Sequence, residues 1–63
     1  MNVTKREREV LHLLVMGKTN KQIAQDLKIS DYTVRDHVSS LLRKRGVGTR
    51  MQLIAMQTGH YRA

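Results

Sequence analysis

Cysteine, proline, phenylalanine and tryptophan are all missing from the 63 residues, and two tyrosines are the whole aromatic complement. Without cysteine there is neither a disulfide framework nor a thiolate metal site to supplement the core, which suits a reducing, intracellular setting. With so few aromatics the chain lacks the stacking platform on which most readers of single-stranded RNA depend. No apolar run approaches the roughly 20 residues of a membrane span, and the opening MNVTKRERE lacks the apolar segment of a signal peptide. The expected setting is therefore soluble and cytoplasmic, with no membrane partner. Acids are scarce as well: five against 12 lysines and arginines, a formal charge of +7. So large an excess on a short chain points to a polyanion, nucleic acid before acidic lipid.

What remains is enough for one domain over residues 1–63, because a chain of this size buries only about 60% of the surface it exposes when unfolded. No window alternates with period two, so strands are not expected and the class is all-α. Thr4 and Glu7 have the spacing of a capping box, in which the hydroxyl accepts from the third amide and the carboxylate accepts from the cap amide. Behind it Val10, Leu11, Leu14 and Val15 form one stripe that stops at Gly17, predicting a first helix over about 5–16. Asn20 is the candidate cap of a second helix over about 20–27, with Ile23, Ala24 and Leu27 on one face. Ser30 caps a third over about 31–45, with Val34, Val38 and Leu41 inward and Gly46 at its end. Thr49 and Gln52 repeat the capping box and open a fourth helix, about 50–58, ending at Gly59.

The stretch IAQDLKISDYTVRDHV, residues 23–38, decides how the middle is organised. One continuous helix would crowd Ser30, Asp31 and Thr33 into an interior turn, where short polar side chains compete for backbone hydrogen bonds. Two helices joined at Lys28, Ile29 and Ser30 place those residues at a cap, and Ala24 is small enough to let the pair approach closely. This is a helix-turn-helix unit, residues 20–39, whose second helix is the candidate reader of the major groove.

Periodicity splits that helix into faces. Val34, Val38 and Leu41 point inward; Tyr32, Arg35, Asp36, Ser39 and Arg43 point outward. Arg35 suits guanine O6 and N7, Asp36 suits the cytosine amino group, and Ser39 is a permissive donor and acceptor, which makes these three the base-contacting candidates. Asn20, Lys21, Thr33, Arg43, Lys44 and Arg50 flank the face and are the phosphate-contacting candidates. His37 borders the core stripe, where it either packs with one nitrogen satisfied or adds another phosphate contact.

Several spaced motifs together resemble a known family, the C-terminal effector domain of LuxR-type (FixJ/NarL-type) bacterial transcription regulators. They are VTKREREVL at 3–11, GKTNKQIA at 17–24, LKIS at 27–30, TVRDHV at 33–38 and KRGVGTR at 44–50. The resemblance implies a four-helix DNA-binding domain acting on double-stranded DNA in transcription regulation, with Thr33 near phosphates and Arg35 and the outward positions after it facing bases. It also implies a fourth helix that contributes to a homodimer, for which Met51 and Met56 are the candidate interface, and contact with RNA polymerase. Family members usually carry a receiver or sensor domain ahead of this one, and neither lies within these residues. The sequence departs from the family in three places: Arg45 stands where an apolar residue is usual, Lys28 occupies a turn position where glycine is common, and Asp36 puts a negative charge on the reading face.

Other chemistry finds little support. Glu7 and Glu9 sit where carboxylates favour a helix start, His12 and His60 have no metal-ligand spacing with any partner, and no nucleophile and base are paired, so neither an enzyme, a metal, a cofactor nor a small-molecule ligand is expected. The rival reading is a protein-interaction module that regulates another transcription factor through its fourth helix.

Overall fold

The computed structural model describes residues 3–59, so the expectation for His60 lies outside them. Four helices follow in order: α1 Lys5–Val15, α2 Asn20–Leu27, α3 Asp31–Arg45 and α4 Arg50–Thr58. No strand occurs among the described residues. None of the helices is long and apolar enough to cross a membrane.

Each helix starts on a side-chain cap. Thr4, Thr19 and Thr49 form full capping boxes with Glu7, Gln22 and Gln52, and Ser30 accepts from the Thr33 amide. The cap of α2 is thus Thr19 and not Asn20. A threonine one residue earlier wins because Gln22, three positions on, completes its box, whereas Asn20 has no reciprocal partner at that spacing.

The first three helices end on one device. In each, the last turn is closed by a pair of backbone hydrogen bonds: Lys18 N to Leu13 O with Gly17 N to Leu14 O, Ile29 N to Ala24 O with Lys28 N to Gln25 O, and Val47 N to Leu42 O with Gly46 N to Arg43 O. This pairing requires a left-handed residue, which is Gly17 (φ 89°) and Gly46 (φ 69°) at two of them but Lys28 (φ 58°) at the other. The first helix stops at Val15, one residue short of the expected span, because Met16 already serves as the cap before Gly17 turns.

The core takes Val10, Leu11 and Leu14 from α1, Ile23 and Ala24 from α2, Val34 and Leu41 from α3 and Leu53 from α4. Fully burying each of the larger ones contributes about 1.5–3 kcal/mol. The third helix packs on all of the others, so its inner face is fixed from three sides. Helices α2 and α4 do not pack on each other. Leu27 and Ile29 are half-buried against the core and set the angle at the turn, as the two-helix reading of residues 23–38 requires.

Candidate nucleic-acid interface

Burying Val34 and Leu41 dictates which side of α3 is left outside. Tyr32, Arg35, Asp36, Ser39 and Arg43 are all exposed, Tyr32 at 67%. His37 and Val38 are half-buried at the borders of that face. The ion pairs among the described residues join Arg6 to Glu9, Lys18 to Asp26 and Lys44 to Glu7. Arg35, Asp36 and Arg43 belong to none of these, so their charges are available to an external partner.

The start of α3 is set by Ser30, whose Oγ accepts from Thr33 N at 3.0 Å and pairs with Thr33 Oγ1 at 2.8 Å. The Thr33 hydroxyl is therefore already oriented beside the first free amides of the helix, where the macrodipole favours an anion.

A second cluster lies at the start of α2. Arg50, in the first turn of α4, donates from Nη2 to the Lys18 carbonyl at 2.8 Å and from Nη1 to Asn20 Oδ1. With its oxygen engaged by Arg50, half-buried Asn20 has only its amide hydrogens left to offer an acceptor, and its neighbour Lys21 is exposed. The sequence places Asn20 and Lys21 at the start of the second helix and Arg50 beyond the end of the third; the fold brings Arg50 onto Asn20. Sequence reasoning did not foresee that Arg50 orients Asn20 through a fork of two donors, a role only the folded contact between distant segments discloses.

Lys44, another phosphate candidate, has a partner within the fold. Its ammonium lies 2.7 Å from Glu7 Oε1, and the other carboxylate oxygen accepts from Ser40 Oγ at 2.6 Å. The same carboxylate accepts the Thr4 amide at 3.0 Å, closing the capping box. Glu7 is 5% exposed, the one buried charged residue of the described chain. Lys44, then Ser40, hold its carboxyl well below the usual range, down to about 2, and outweigh the opposing effect of burial. Neither the burial of Glu7 nor the part played by Ser40 was read from the sequence. The available signal was that Ser40 and Lys44 stand four apart, on one flank of α3.

On α4, Met51 is 72% exposed and Met56 36%, so both candidate dimer residues stand at the surface. Lys5, Arg8, Glu9, His12 and Leu13 of α1, with Leu27 of α2, line an open groove of about 560 Å³. No group of three or more potential metal ligands occurs among the described residues.

This geometry has relatives. The sequence profile of the family described as bacterial regulatory proteins, luxR family, matches residues 1–57. The chain belongs to that family. Its members are transcription regulators that bind DNA and are not enzymes. The spore germination protein GerE of Bacillus subtilis (strain 168) is 54% identical over 52 residues, which cover 82% of this chain and 70% of that protein. The nitrate/nitrite response regulator protein NarP of Escherichia coli (strain K12) is 51% identical over 78% of this chain but only 23% of its own length. DesR, a transcriptional regulatory protein of B. subtilis, is 46% identical over 82% of this chain and 26% of itself. This chain thus spans about a quarter of the length of NarP and of DesR. The solved structure of the transcription factor GerE superposes with a TM-score of 0.78 at 43% identity, covering 94% of this chain and 91% of that one. The fold is therefore the four-helix, helix-turn-helix fold of this family.

Proposed function

We propose that the whole of this luxR-family domain, residues 1–63, regulates transcription by laying α3 in the major groove of double-stranded DNA, with residues 20–39 as the reading unit. The observation that carries the reading is the outward face of α3, where Arg35, Asp36 and Ser39 are exposed together and without internal ion pairs, on a helix fixed from behind by three others. Arg35 reads guanine, Asp36 selects against positions lacking a base amino group, and Ser39 follows one turn after Arg35. Phosphates are held by Asn20 and Lys21 at the start of α2, by Thr33 at the start of α3, and by Arg43 and His37 beside the face. Arg50 supports the α2 site by orienting Asn20 and adds its charge there. Lys44, partnered by Glu7, takes no part.

Two copies bind side by side with half-sites about one helical turn apart, and the exposed methionines of α4, Met51 and Met56, supply an adaptable surface between them. Cytoplasmic action and contact with RNA polymerase complete the proposal. The second reading, a protein-interaction module working through α4, draws on those same exposed methionines.

Selection of duplexes from a random pool, followed by binding across a potassium chloride series, tests the proposal. The expected result is one enriched motif with paired half-sites and a fall of log affinity with log salt worth several phosphates. No enriched motif, or a slope near zero, overturns it. Regulatory activity that survives Arg35→Ala with Ser39→Ala favours the second reading.

A further inference from the structure

We propose that Glu7 is a positioning residue for DNA reading, whose buried carboxylate sets the rotation of α3 about its axis and withholds Lys44 from the DNA backbone. The inference rests on the reading that α3 enters the groove.

Three observations converge on Glu7. First, its two oxygens grip α3 at two points one helical turn apart, Oε2 at Ser40 and Oε1 at Lys44. A grip at one point leaves a helix able to roll, whereas two points on one flank, together with Val34 and Leu41 on the inner face, leave a single setting. Second, the same carboxylate is tied into the capping box of α1 through the Thr4 amide, so the reference for that setting is the rigid first turn of another helix. Third, Ser40 directly follows Ser39, and Lys44 directly follows Arg43, both of which stand on the outward face. Since neighbouring side chains on a helix diverge by roughly 100°, rolling α3 to relax the grip turns Arg35, Ser39 and Arg43 by the same amount. Base-edge recognition tolerates little of this, because a bidentate arginine is directional.

The charge arrangement has its own effect. Arg43, Lys44 and Arg45 are consecutive cations at the end of α3, yet among the described residues only Lys44 has an acid beside it, at 2.7 Å and with 23% of its side chain exposed. Glu7 thus divides the run: the neighbours remain open to phosphate and Lys44 does not.

The test uses the full 63-residue chain and the duplex it selects, compared with the same duplex carrying single base-pair substitutions. Glu7→Gln keeps an oxygen for the Thr4 amide but loses the charge. It is expected to steepen the salt dependence by about 0.9, one phosphate's worth, as Lys44 is released, and to lower discrimination between selected and substituted duplexes at least threefold. Adding Lys44→Met to it returns the slope to that of the unaltered protein. Lys44→Met alone leaves the slope unchanged, and Ser40→Ala alone lowers discrimination without altering the slope. These two milder variants decide the matter if Glu7→Gln does not fold. A loss of about 0.9 in slope for Lys44→Met shows that Lys44 already holds a phosphate and overturns the withholding role. Unchanged discrimination in Ser40→Ala overturns the positioning role. In the DNA-free protein, amide resonances of Arg35 to Ser39 should move in Ser40→Ala; if they stay in place, Glu7 does not set α3, whatever α3 binds. Failure of the groove reading itself looks different: Arg35→Ala then leaves discrimination intact while those resonances still move in Ser40→Ala.

Discussion

Arg50 Nη2 donates to the Lys18 carbonyl at 2.8 Å while its Nη1 donates to Asn20 Oδ1, so one guanidinium at the start of α4 fastens the loop that opens α2. The two helices share no packing, which makes this fork their direct link. Arg50→Ala strands a half-buried carbonyl and an amide oxygen, and should lower stability by about 1–2 kcal/mol in urea unfolding. Arg50→Lys should recover less than half, because an ammonium on a flexible stem lacks the planar pair of donors. Equal stability of the lysine variant and the unaltered protein would refute the fork as the source of the effect.

Glu7 gives the domain an acid limit. Its carboxyl titrates near 4.5 in an unstructured chain and about 2 when folded, so the folded form favours the ionised state. Its contribution is therefore complete above about pH 5 and declines as pH falls through the interval towards 2. Its partner Lys44 is partly exposed, so water screens part of the gain, and about 2 kcal/mol is the expected loss. Thermal unfolding between pH 6 and 2 measures it. Glu7→Gln should be less stable at pH 6 and show a flatter profile down to pH 2; a profile parallel to that of the unaltered protein would rule the carboxylate out.

Lys28 is the one non-glycine residue with positive φ among those described. A left-handed setting costs a residue with a Cβ about 1 kcal/mol, and glycine relieves it at some expense in unfolded-chain entropy. Lys28→Gly should raise the midpoint of thermal unfolding by several degrees, in proportion to about 0.5–1 kcal/mol in a domain of this size. A lowered midpoint would mean that the lysine side chain stabilises the turn by more than its backbone conformation costs.

The two kinds of DNA contact should separate by salt. Arg35→Ala is expected to cost about 1–3 kcal/mol on the selected duplex and to relax preference at one base pair. Lys21→Ala should weaken every duplex alike and reduce the salt slope by about 0.9. Fluorescence anisotropy on selected and substituted duplexes at three salt concentrations distinguishes them, and an Arg35→Ala loss that is uniform across duplexes would reassign it to the phosphate backbone.

What the sequence discloses here follows the range of the interactions involved. Helix limits are local, set by a threonine or serine and its partner three residues later, or by a glycine that turns left-handed, and three of the four caps and nearly every boundary read directly. Even the miss at α2 is local: Thr19 precedes Asn20, and the glutamine that completes its box was within view at position 22. The faces of α3 are equally legible, because two buried apolar side chains on one side leave Arg35, Asp36 and Ser39 on the other. The pairings that escape are those between distant segments. Glu7 with Ser40 and Lys44 spans 33 and 37 residues, and Arg50 with Asn20 spans 30. Charge and spacing identify such residues as candidates for phosphate or for a cap, but only the fold decides which partner each one meets. Lys44 is the clearest case: a cation in a basic run, assigned by the fold to a buried carboxylate.

The outward side of α3 holds nothing up. Its cap at Ser30, its buried pair Val34 and Leu41, its flank at Ser40 and Lys44, and its stop at Gly46 all lie on other surfaces of the helix. The residues proposed to set target preference and those that hold the fold are therefore different ones. If α3 reads DNA as proposed, exchanging Arg35, Asp36 and Ser39 for other polar side chains should rewrite the address and leave the four-helix scaffold as it is.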